Sequence, residues 1–182
     1  MPSGPETPVA RPRMKRWLAH AAAAVAIIIL AGNALAWLHP DLAHYPARGM
    51  TALGDHPVML TLDARLASLG VSTLHLGVLA WALLTVRALF LRFADGNVLE
   101  VGTGRLLGRL GLALVVFAVA TPVVRTLVTL LVTMHNPPGQ KALAIGFSAN
   151  ELIIGLVGGL IVMTGEAMRE AAAIADEHRQ IV

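Results

Sequence analysis

This 182-residue sequence predicts an all-α protein: an antiparallel four-helix transmembrane bundle with both termini in the cytoplasm. Three observations carry that expectation. Four apolar stretches, 17–38, 69–91, 107–134 and 145–168, each hold about the 20 residues that an α-helix needs to cross a hydrocarbon layer near 30 Å thick. Charged residues are only 14% of the chain, against about 25% in soluble domains, and mean hydropathy is +0.70. The basic residues between the stretches also sort to alternate sides.

That sorting sets the orientation. Arg11, Arg13, Lys15 and Arg16 precede span one, Arg87, Arg92, Arg105 and Arg109 bracket the loop between spans two and three, and Arg169 and Arg179 follow span four. Against these ten stand Arg48, Arg65 and Lys141 on the other side, with Arg125 inside span three. Lys and Arg concentrate on the cytoplasmic side of membrane proteins, so the side with ten is inside. The expected location is the inner (cytoplasmic) membrane, crossed four times, with the lipid bilayer as the first partner. The net charge of +3 has this topological explanation and implies no direct nucleic-acid contact. The absence of cysteine excludes disulfides, thiolate metal sites and a cysteine nucleophile.

Taken in order, residues 1–16 form a basic lead whose first 13 residues, rich in Pro, Ser and Thr, are expected to be disordered. Span one, with Ala34-Leu35-Ala36 near its end, also has the outline of a cleavable signal peptide. Its apolar run is longer than the usual 7–15 residues, and the later spans alternate sensibly only if it is retained. Pro40, Pro46, Gly49, Gly54 and Pro57 then divide the long first outer loop. Residues 59–66 are expected to form a short interfacial helix before span two. Asp95-Gly96-Asn97 marks a turn in the inner loop, and Asn136-Pro137-Pro138-Gly139 stops span three, because proline cannot continue a helix. After span four, residues 169–182 read as a helical cytoplasmic tail with Arg169, Glu170 and Glu177.

The run from Leu89 through Arg92, Asp95, Gly96 and Asn97 to Leu99, then Arg105-Leu106-Leu107-Gly108-Arg109, the Asn136-Pro137-Pro138-Gly139-Gln140 loop and the Met168–Arg179 tail together resemble the bacterial four-span membrane proteins grouped as domain of unknown function 2975. The resemblance covers about residues 17–182. It departs from the family's usual pattern at Glu177-His178 and Val98-Leu99. It implies the four-span fold and no activity. Some such proteins are encoded beside a small helix-turn-helix regulator, which suggests a cytoplasmic transcriptional regulator as partner.

Polar residues at membrane depth are costly and placed for a reason. Arg125 lies nine residues before Met134, about 13 Å below the outer end of its span, and Glu151 lies about 6–9 Å deep in the next. The two are expected to pair and fix packing. Asn33, His75, Thr121, Thr126 and Asn150 would join them in a polar layer in the outer half of the bundle, with Pro122 freeing a backbone carbonyl nearby. His39, His75 and His135 fall near one boundary, but no histidine pair has helical i, i+4 spacing and no acidic cluster supports a metal site. The Gly155/Gly159 step in span four permits close helix approach, within the chain or between two copies. The inner-loop glycines lack Gly-Lys-Ser/Thr and a preceding strand, so they are not a phosphate loop.

No catalytic constellation and no cofactor motif is present, so no enzyme is expected. The leading expectation is a non-catalytic membrane module that binds a cytoplasmic partner through Arg92, Arg105, Arg109, Arg169, Glu170 and Glu177. The alternative is a small oligomeric permease or channel built on the polar layer, although four spans without an internal repeat lack the symmetry of many transporters.

Overall fold

The computed structural model describes residues 12–51, 53, 56–96 and 100–180, with side chains described between 16 and 175. Helix α1 (Pro12–Leu38) is followed by the short α2 (His44–Gly49), then by α3 (Leu62–Ala94), α4 (Val101–Thr133) and α5 (Ala149–Gln180). All described regular structure is helical. Four of the helices are long and apolar enough to cross a membrane. At 1.5 Å per residue the 33 residues of α3 or α4 extend about 50 Å, so their ends reach beyond a 30 Å hydrocarbon layer.

Several boundaries differ from the sequence expectation, each for a physical reason. Residues 1–11 of the lead lie outside the described residues, but 12–16 are already helical. Proline suits the first helical position, where its missing N–H would have had no partner. The interfacial helix expected over 59–66 is not separate. Residues 56–61 are non-helical and α3 starts at Leu62, running straight into span two. Asp63 is favourable in a first turn. Arg65 is buried because its guanidinium donates to the carbonyls of Trp37, at 2.8 Å, and Leu38, which end α1.

The turn expected at Asp95-Gly96 is present, and the φ of +86° at Gly96 needs glycine; Asn97 lies outside the described residues. Span three starts at Val101 rather than 107, because Gly104 is packed against α5 and tertiary contact overrides its low helix propensity.

Span four starts at Ala149 rather than 145. Residues 140–148 instead run without helix beside the C-terminal part of α4, where the Thr126 hydroxyl donates to the Ala144 carbonyl at 2.9 Å and Thr133 to Ala142 at 3.2 Å. Backbone polar groups packed against a helix need partners, and these threonines supply them.

The long helices pack in chain order. On α1 and α3, Arg16 meets Asp95 at 3.5 Å, Asn33 meets Thr73 at 3.0 Å, and Trp37 meets Arg65. Between α3 and α4 and at their ends, Arg92 meets Glu100, just before α4, at 3.3 Å, His75 meets Thr121 at 3.3 Å, and Thr61, just before α3, meets His135, just after α4, at 3.3 Å. Residue numbers rise along one helix of each pair as they fall along the other. Among the described residues α5 packs only on α4, and α1 only on α3 and α2.

The apolar core sits at the Trp37 end, where Trp37, Ala43, Ala47, Leu53, Val128 and Val132 form one buried cluster. Here α2 and the segment after it fold back against α1 and α4. Asn136, 4% exposed, ties the two loops at that end together. It accepts from Met59 N–H at 3.1 Å and donates to the carbonyls of Pro57 and Gln140, the latter at 3.0 Å.

Candidate functional site

The α4–α5 pair positions most of the chemistry. Small residues recur every seventh position on both helices: Gly104, Gly111 and Ala118 on α4, and Gly158, Gly165 and Ala172 on α5, all buried. A Cβ on Gly111 would lie 2.5 Å from the Gly158 carbonyl and 2.6 Å from the Val162 nitrogen; one on Gly104 would lie 2.6 Å from the Gly165 carbonyl. The two backbones therefore touch with no side chains between them. A seven-residue repeat keeps such a seam facing its partner along both helices. The step expected at Gly155 and Gly159 is not the contact. A Cβ on Gly155 meets only Ala118 at an ordinary 3.6 Å, and Gly159 faces open space.

The next seventh positions along that seam are Arg125 and Glu151, which pair at 2.6 Å as the sequence led one to expect. Glu151 is 5% exposed and uses both oxygens: one accepts from Arg125, the other from the backbone N–H of Ser148. Ser148-Ala149-Asn150-Glu151 thus forms the glutamate half of a capping box, in which the third helical residue reaches back to the residue that opens the helix. One carboxylate both starts α5 and locks it to α4.

The polar residues expected in one layer do not form one. Asn33 is occupied between α1 and α3, donating to Thr73 and accepting from Ser72 at 3.0 Å. Thr126 serves the Ala144 carbonyl, and Asn150 is exposed. Of these residues, His75, Thr121 and Arg125 border one half-open depression of about 230 Å3, together with Met50, Leu76, Phe117 and Val124. Glu151 lines a different cavity, with Ala118 and Phe147. The three histidines expected near one boundary stay apart: His39 lies 3.8 Å from Asp41, His135 pairs with Asp63 at 3.2 Å, and His75 meets Thr121. No group of three potential metal ligands occurs among the described residues.

At the other end of the seam a groove of about 290 Å3 lies between α4 and α5. Arg105, Arg109 and Arg169 surround it with Glu166, over a floor of Gly104, Gly108 and Gly165. None of the three arginines forms an ion pair among the described residues, and all are exposed. The glycine floor makes the groove: without side chains there, the arginines on both helices border one depression. Of the other expected partner-binding residues, Arg92 is paired with Glu100 and stands over Gly102 instead. Glu170 borders an adjacent cavity with Val101 and Ala173. The Glu177 side chain lies outside the described residues.

The heptad glycines, the capping box and the Asn136 anchor were all present as sequence signals: small residues at spacing seven, Ser-x-x-Glu before an apolar run, and Asn before Pro-Pro. Comparison with family models, with curated proteins and with solved structures finds no match to the chain.

Proposed function

We propose that this chain is an antiparallel four-span module of the inner membrane, with both termini cytoplasmic and no catalytic role, that holds a cytoplasmic partner at the groove between α4 and α5. What carries the reading is the groove itself: three guanidinium groups without an ion pair among the described residues, from Arg105 and Arg109 on one helix and Arg169 on the other, around one depression. Guanidinium forks take carboxylates in pairs of parallel hydrogen bonds, so an acidic segment of a partner is the complementary surface. The excess of Lys and Arg on this side of the spans supports placing the groove in the cytoplasm. Helix α5 continues without a break to Gln180 and supplies a rigid rod beside the groove. A small helix-turn-helix regulator is the partner suggested by the resemblance to the domain-of-unknown-function 2975 proteins, and kinship with that family is part of the proposal.

The test is purification of the tagged protein from native membranes in mild detergent, with quantification of what accompanies it. A stoichiometric small DNA-binding protein is expected with the wild-type chain. It should fall at least tenfold with Arg105→Gln/Arg109→Gln/Arg169→Gln, and substantially on removing 170–182, while membrane insertion is unchanged. Undiminished capture by the triple variant would overturn the groove as the docking surface. Recovery of anionic phospholipid alone, lost in the triple variant, would make the groove a headgroup site of the kind basic pockets form at the cytoplasmic face.

A further inference from the structure

The arginine groove extends beyond its glycine floor. It shares Glu166 and Arg169 with the adjacent cavity that Val101, Glu170 and Ala173 border. On α4 the bordering residues Val101, Gly104, Gly108 and Leu112 follow at steps of three and four, and on α5 Val162, Glu166, Arg169 and Ala173 do the same. Residues at such steps lie along one face of a helix, so the two depressions form one trough along the α4–α5 seam. Val101 to Leu112, like Val162 to Ala173, is eleven residues, about 16 Å at 1.5 Å per residue.

Floor and banks differ in chemistry. The floor is glycine and aliphatic carbon, and from Gly104 on its main chain is bonded within the helices. The α4 bank is cationic throughout, with Arg105 and Arg109 one turn apart. The α5 bank alternates in sign through Glu166, Arg169 and Glu170. All five side chains are exposed, and none of them forms an ion pair among the described residues.

Resting on the docking reading above, we infer that the trough takes an amphipathic helix of the partner, about three turns long, with carboxylates along the edge that meets α4 and both signs along the edge that meets α5. An extended segment would lay its own N–H and C=O groups over a floor whose groups are already bonded, and buried main chain without partners is costly. A helix bonds its main chain internally and turns only side chains to the trough. Apolar side chains three and four residues apart would cover the floor. Carboxylates four apart would meet Arg105 and Arg109, which have that same spacing.

The experiment places p-benzoylphenylalanine at Val101 or at Leu112, the two ends of the α4 bank, in the full-length protein in its native membranes. After irradiation, the partner residue captured by each site is identified by mass spectrometry. Both sites are expected to reach one segment of one protein, at residues about eleven apart, as a helix rising 1.5 Å per residue requires. That segment should carry acidic residues three or four apart, and Arg105→Glu/Arg109→Glu should reduce both captures at least tenfold. If that variant does not insert, the residue spacing still decides. Captured residues about five apart would mean an extended segment at about 3.3 Å per residue, and would overturn the helix while leaving the docking groove intact. Capture of unrelated segments by the two sites, or capture undiminished by the charge reversal, would overturn the helix as well. Capture of no protein at either site would overturn the docking reading with it.

Discussion

Gly111→Ala is expected to destabilise the protein by on the order of 3 kcal/mol, the upper end for inserting a methyl group into a packed interior. The added carbon has backbone on two sides, the Gly158 carbonyl at 2.5 Å and the Val162 nitrogen at 2.6 Å, so no side chain can rotate away to make room. Relief requires α4 and α5 to separate, and α5 has no other helix to rest on among the described residues. Gly159→Ala is the control on the same pair of helices, because a Cβ there meets nothing within 4 Å. Its effect should be within about 0.5 kcal/mol, as for ordinary surface changes. Reversible unfolding in detergent micelles, followed for both variants, reads the difference. Equal stability of the two would mean that the glycine seam does not exist as described.

Arg125→Ala is the second large effect expected. It leaves the Glu151 carboxylate 5% exposed and without its cation, and breaking a buried pair from one side costs about 3–5 kcal/mol. Glu151→Ala removes the same pair and also the acceptor for the Ser148 N–H, so it should be at least as damaging, with about 1 kcal/mol of the loss from the lost helix cap. Glu151→Gln keeps an acceptor for Ser148 and should fall between wild type and Glu151→Ala. The double Arg125→Ala/Glu151→Gln variant should lose clearly less than the sum of its two singles, with a coupling of about 2 kcal/mol, since neither residue then strands the other. Strict additivity in the same unfolding measurement would show that the two side chains do not interact.

The fold class was legible because length and hydropathy suffice for it: a stretch of twenty apolar residues has few alternatives to a spanning helix. Boundaries were less legible. Asp63 and Arg65 look like the end of a span, and only the carbonyls of Trp37 and Leu38, remote in sequence, explain why Arg65 can lie inside the packed helix. Residues 145–148 look like the start of a span, and only the threonine hydroxyls of α4, bonded to Ala142 and Ala144 just before them, explain why that stretch need not be helical.

The Arg125–Glu151 pair was readable from depth and a tight loop. The separation of Asn33 from it was not, because which face of a helix a polar residue occupies depends on neighbours that hydropathy does not identify. The arginine groove illustrates the same point. Arg105, Arg109 and Arg169 were legible as a basic set, yet that they ring one depression while Arg92 pairs with Glu100 depends on glycines whose spacing of seven signals close packing only once α4 and α5 are known to be partners.

Orientation underlies the account most directly, since an acidic partner can reach Arg105, Arg109 and Arg169 only if that end of the α4–α5 seam faces the cytoplasm. The chain has no cysteine, so single cysteines report position without background. Lys141→Cys in the loop before α5 and Ala173→Cys near its far end, both at exposed positions, would be treated with a membrane-impermeant maleimide in right-side-out and inverted vesicles. The account predicts labelling of Lys141→Cys only in right-side-out vesicles and of Ala173→Cys only in inverted ones. The reverse pattern would place the arginine groove outside the cell, and labelling of both from one side would show that α5 does not cross the membrane.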